Sequence, residues 1–138
     1  MHDPADANTP WSARLSAAIG HVSKALCYSL RGLRTGAQLS LAFRQELGVL
    51  AVLCAALALG GKSPAQWLLC LGGWLAVMAA ELFNSALEET LDLITRDFSL
   101  AVRYAKDMAS AAVFLLMLVN AALWLYVFGR DVQDLLGI

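Results

Sequence analysis

Residues 47–61, 63–80 and 108–129 contain no charged side chain, giving runs of 15, 18 and 22 residues. A helix needs about 20 apolar residues to cross a bilayer. The third run meets that length alone, and the second meets it by continuing through Leu82 and Phe83. The first meets it if its helix begins near Leu39 and Arg44 turns its charged end toward the headgroups. Between the first two runs, Gly60-Gly61-Lys62-Ser63-Pro64 predicts a tight turn, with glycines ending one helix and proline opening the next. Upstream, Leu15, Ile19, Val22, Leu26, Leu30 and Leu33 recur every three or four positions, while His21, Lys24, Tyr28 and Arg31 occupy another face. That pattern predicts a basic amphipathic helix lying on the membrane surface, with Thr9 and Pro10 as a start signal a little upstream.

The expected fold is an all-α membrane protein with an N-terminal amphipathic surface helix and three transmembrane helices. The surface helix covers residues 14–36 and the spans cover about 39–60, 64–90 and 105–128, within a single domain over 14–130. Residues 1–13 read as a disordered tail and 131–138 as a short C-terminal tail. The first 13 residues hold two prolines and two aspartates with no apolar stretch directly after them, which does not fit a cleaved signal.

Composition agrees with this class. The chain is 59% hydrophobic and only 15% charged, with a mean hydropathy of +0.63, too apolar for an ordinary soluble domain. A net charge of −1 gives no argument for nucleic acid. Cys27, Cys54 and Cys70 are far apart and form no zinc-type pairing, and the two in apolar runs, Cys54 and Cys70, read as packing residues. Charge placement is more informative. Arg14, Lys24, Arg31, Arg34, Arg44, Arg96, Arg103 and Lys106 fall on one side of the predicted spans, against Lys62 and Arg130 on the other. The positive-inside rule then puts the N-terminus and the second connection in the cytoplasm and the C-terminus outside.

Candidate chemistry concentrates between the second and third spans. Glu81, Asn84, Glu88 and Asp92 fall within about 80° on one helix face. Carboxylates at the edge of the hydrocarbon are costly unless paired, hydrated or metal-bound. The stripe reads either as a functional face or as a solvated face leaving the membrane. Glu81, flanked by Ala79-Ala80 and Leu82-Phe83, favours the first reading. Lys106, Asp107 and Ser110 form a second cluster at the start of the third span. Lysine beside aspartate at a helix start suits a polyphosphate with Mg²⁺. It equally suits a charged helix cap. Gly61-Lys62-Ser63 resembles the end of a P-loop, but Ala56 stands where its first glycine is required, so it reads as a turn.

Taken together, these residues resemble one family. Glu81-Leu82-Phe83-Asn84-Ser85-Ala86-Leu87-Glu88 and Ala105-Lys106-Asp107-Met108-Ala109-Ser110-Ala111-Ala112-Val113 are similar to the two motifs of the small prokaryotic diacylglycerol kinases. Tyr28-Ser29, Gly32-Leu33-Arg34 and Phe43-Arg44-Gln45-Glu46 match the family's N-terminal part, and the resemblance covers roughly residues 21 to 128. It implies a homotrimer that transfers phosphate from Mg²⁺-ATP to a membrane lipid hydroxyl, most often diacylglycerol, with undecaprenol an alternative acceptor. By position, Glu81 would be the general base and Glu88 would bind the metal, with Ser40 at the second metal position as a neutral, weaker ligand. His21, Tyr28, Asp97, Ser99, Lys106 and Asp107 would lie at the nucleotide. Arg34, Arg44, Glu46, Asn84, Asp92, Ser110 and Trp124 would bind substrate or order the site.

The chain departs from the family at Ser40, where a second metal-binding glutamate is usual, and at His21 and Ser99, where arginine and histidine are usual. Extrapolating one helix from Ser40 turns Glu46 to another face, so Glu46 is not expected to replace the missing carboxylate. Two other classes follow from the same residues. Ser40 supports a degenerate assembly protein, and an intramembrane Glu81 supports a small transporter that would conduct without ATP.

Overall fold

The computed structural model describes residues 11–95 and 99–137. They form four helices and no strand: α1 (Trp11–Leu39), α2 (Leu41–Leu59), α3 (Pro64–Ile94) and α4 (Leu100–Leu136). Leu41–Leu59, Pro64–Ile94 and Leu100–Gly129 are each long and apolar enough to cross a membrane. The all-helical, three-span expectation therefore holds. The N-terminal tail and the Thr9-Pro10 start signal fall largely or wholly outside the described residues.

The helices run further than the hydrophobic pattern alone suggests. α1 begins at Trp11 and ends at Leu39, beyond the expected 14–36. Nothing between Arg34 and Leu39 forbids helix, and the break comes at Ser40. That residue has extended backbone (φ −88°, ψ 120°), and its side chain accepts a hydrogen bond from the Phe43 N–H, capping α2. The second helix therefore starts at Leu41 rather than near 39. α3 opens on a capping box: Ser63 accepts from Gln66 N–H, Gln66 accepts from Ser63 N–H, and Pro64 follows the cap. It continues to Ile94, four residues past the expected end. α4 starts at Leu100 rather than 105 and continues to Leu136, through most of the expected C-terminal tail. Hydropathy marks where a helix leaves the bilayer, and the helix itself persists until a cap or a breaker stops it. Gly137, at φ +70°, provides that stop.

Residues 11–35 form one compact unit and 36–138 another. In the first, Leu15, Ile19, Val22, Leu26, Leu30 and Leu33 are all exposed within the chain. An apolar stripe of this kind opposite basic residues suits a lipid interface.

In the second unit, α3 packs against both α2 and α4. One core cluster joins Leu53 and Leu57 of α2, Cys70 of α3 and Val127 of α4, with Trp67, Leu71, Trp74, Trp124 and Phe128 around it. The turn beside this cluster behaves as expected, with Gly61 at φ +56°. Lys62 in that turn pairs with Asp131 of α4 and lies 4.8 Å from the Phe128 ring centroid. Midway along the bundle, Gly73 lets α4 approach closely. A Cβ there would stand 2.6 Å from Asn120 Nδ2 and 2.9 Å from Leu123 Cδ1. Small residues serve this purpose where membrane helices cross. Gly36 does the same against Leu82 near the start of α2. Of the three cysteines, Cys70 is buried, Cys54 half-buried and Cys27 exposed, all as free thiols. Cys27 therefore does not pack within the chain.

Candidate active site

Ser40 and Glu81 meet where α2 begins against α3. The Ser40 hydroxyl donates to Glu81 Oε1 at 3.1 Å while its oxygen accepts from Phe43 N–H at 3.1 Å. Ser85, one helical turn beyond Glu81, donates to the same Oε1, also at 3.1 Å. Glu81 is 7% exposed. Its carboxylate is thus held by two hydroxyls on one oxygen, and Oε2 takes no hydrogen bond from any described residue.

Glu46 is 4% exposed, and both its carboxylate oxygens lack a hydrogen-bond partner. A charge on Glu46 would act against the charge on Glu81. The burial of Glu46 is not something an angle counted through Ser40 anticipates. Extended backbone at Ser40 interrupts the helix, so angles counted continuously from 40 to 46 carry no phase information. Trp74 steadies this turn of α2, its indole N–H donating to the Glu46 carbonyl at 3.0 Å.

The predicted stripe on α3 is present. Asn84 is buried; its Nδ2 donates to Glu88 Oε1 at 3.3 Å, and its Oδ1 has no partner. Glu88 is half-buried. Further on, Asp92 accepts from Lys106 Nζ of α4 at 2.6 Å. Asp107 lies 3.7 Å from Arg103 one turn earlier, with both side chains about two-thirds exposed. Ser110 is exposed, and Ser99 is half-buried with its carbonyl accepting from Arg103 N–H at 3.0 Å.

Other candidates take different places. Arg44 donates to the carbonyls of Ala37 and Gln38 at the end of α1, at 3.4 and 3.1 Å. It therefore caps α1 in addition to any role at the headgroups. His21, Tyr28 and Arg34 are exposed in the first unit, with the Arg31 guanidinium 5.6 Å from the Tyr28 ring centroid. Asp97 lies outside the described residues. Trp124 stacks on Phe128 with centroids 5.3 Å apart and donates to Asn120 Oδ1 at 3.1 Å. That puts it in the packing cluster near the α2–α3 turn, apart from Glu81. Ser85 was given no role on sequence grounds. Its spacing of four from Glu81, a neighbouring position on a helix face, is the signal that finds it.

Among the described residues, no three His, Cys, Asp or Glu side chains group closely enough to form a metal cage. A magnesium ion that arrives with phosphates needs only one or two protein carboxylates. The half-buried Glu88, with Asn84 beside it, fits that smaller demand.

These features define a membrane-spanning helical protein with a buried carboxylate site where the start of α2 meets the middle of α3. A family model described as prokaryotic diacylglycerol kinase matches residues 27–128. Diacylglycerol kinase of Haemophilus influenzae is 34% identical over 105 residues, covering 75% of this chain and 88% of that protein. The Helicobacter pylori enzyme of the same name is 38% identical over 109 residues, covering 78% and 80%. That of Escherichia coli K12 is 36% identical over 104 residues, covering 75% and 84%. The chain belongs to the prokaryotic diacylglycerol kinase family.

Proposed function

We propose that this protein is a lipid kinase that transfers the γ-phosphoryl group of Mg²⁺-ATP to the hydroxyl of diacylglycerol, forming phosphatidic acid. The observation that carries the reading is Glu81: a buried carboxylate with one oxygen fixed and the other free of described partners, on the family's motif. In the reaction the lipid O–H bond breaks, its oxygen forms a bond to the γ-phosphorus, and ADP leaves. Glu81 Oε2 takes the released proton. Such a transfer depends on positioning and charge neutralisation more than on covalent help.

Glu88 would hold the magnesium, with Asn84 orienting its carboxylate. The metal, when bound, neutralises charge on the phosphates. Lys106 offers a point charge to phosphate oxygens near the start of α4, with Asp107 next to it. Tyr28, His21 and Ser99 belong to the nucleotide's surroundings by family position. The same reading puts the site at the cytoplasmic face of a bacterial inner membrane and the protein in a homotrimer. Only 17–22% of the residues in each apolar window are buried within one chain, which leaves ample surface for lipid and for further copies.

Purified protein in mixed micelles, given Mg²⁺-ATP with diacylglycerol or undecaprenol, tests this. Phosphatidic acid above a Glu81→Gln background is the expected result. Product from undecaprenol alone would change the substrate. No product from either lipid, by a folded oligomer, would favour a degenerate assembly protein. Ser40, a neutral group where the family has a carboxylate, is the observation behind that second reading.

A further inference from the structure

We propose that Ser40 is a positioning residue for the general base, acting with Ser85 to fix the Glu81 carboxylate so that Oε2 alone faces the lipid hydroxyl. This rests on the kinase reading above and assigns Ser40 a task other than holding metal. A serine hydroxyl has one proton and two lone pairs. At Ser40 the proton is directed at Glu81 Oε1, and one lone pair is occupied by Phe43 N–H. The group is therefore oriented as a donor toward a carboxylate, whereas a metal ligand would present its lone pairs.

Three observations support the assignment independently of the family motif. The backbone break at Ser40 is what turns the hydroxyl toward α3, because the cap geometry fixes both the extended φ and ψ and the Phe43 hydrogen bond. Ser85 reaches the same oxygen from within α3, so the two donors converge from different helices and restrict the carboxylate's rotation. Finally, Glu46 is buried without a hydrogen-bond partner, and a charge on it would act against the charge on Glu81. Two O–H dipoles aimed at one Glu81 oxygen offset that repulsion where Glu81 has to stay. A base held by its neighbours in a productive geometry does not have to be reorganised at the moment of transfer.

Capping and positioning are separable. Glycine caps a helix nearly as well as serine, so Ser40→Gly removes the donor while largely sparing α2. Ser85→Ala removes the other donor at a position where alanine favours helix. Ser40→Thr keeps both cap and donor. A hydrogen bond to a charged group contributes enough that losing one should lower kcat about tenfold, with the KM for Mg²⁺-ATP unchanged. The double variant should fall further, and Ser40→Thr should stay close to the parent. A rise in KM for Mg²⁺-ATP at constant kcat in Ser40→Gly would overturn the proposal and make Ser40 a metal or nucleotide ligand. Parental kcat in both Ser40→Gly and Ser85→Ala would also overturn it. A parent chain that forms no product from either lipid overturns the kinase reading and takes this one with it, which separates the two failures.

Discussion

Lys106 of α4 reaches back to Asp92 of α3 and joins the two helices by a 2.6 Å ion pair across the connection between them. Both side chains are partly exposed, at 32% and 64%. Pairs of that kind contribute about 0–1 kcal/mol to stability, so the consequence to look for is in binding. Asp92 competes with any phosphate for the same ammonium. Asp92→Asn should leave thermal stability within about 0.5 kcal/mol and lower the KM for Mg²⁺-ATP about threefold. A raised KM would instead make Asp92 the group that holds Lys106 in place.

Gly73 and Asn120 set how closely α3 and α4 cross. Gly73→Ala puts a methyl against Asn120 and Leu123 and should cost about 1–3 kcal/mol, read from unfolding in detergent. Asn120→Ala removes the nearer of the two groups it would strike and leaves Leu123. The double variant should therefore be more stable than the sum of the two single effects predicts, a coupling that a double-mutant cycle measures.

Glu46→Gln replaces a carboxyl group buried without a hydrogen-bond partner and removes any charge it sets against Glu81. Burying a polar group without a partner is costly, and more so whenever it is charged. This variant should unfold at a higher temperature than the parent, by several degrees. An unchanged or lower midpoint would mean that the Glu46 carboxylate is satisfied by a group from outside this chain.

Lys62→Ala should cost about 1–2 kcal/mol, through loss of its ion pair with Asp131 and its contact with the Phe128 ring. Its effect on kcat should be small. About 26 Å of α3 separates the turn that holds Lys62 from Glu81, at 1.5 Å per residue.

Three spans could be read directly from the sequence because a charge inside hydrocarbon is expensive, so its absence over a long run has few explanations. The stripe of Glu81, Asn84, Glu88 and Asp92 was also legible, because all four residues sit on one uninterrupted helix where angles add. What could not be read arises where that addition fails. Ser40 leaves the helix for a single residue, and Glu46 on the helix that follows is buried. No periodicity extrapolated through the break could place either residue. Asn120 and Trp124 were obscured differently. Both fall in an apolar run, and only the close approach at Gly73 and the stacking on Phe128 show them serving helix packing. The outer limits of α3 and α4 depended on caps, which hydropathy does not register.

The pairing of Lys62 with Asp131 also orders events during synthesis. The two residues are 69 positions apart, and Asp131 lies beyond the end of α3 at Ile94, so the α2–α3 hairpin is made before the partner of its turn cation exists. The pair can therefore form only once the last helix has been made. The final segment to be made thus seals the junction of the two before it.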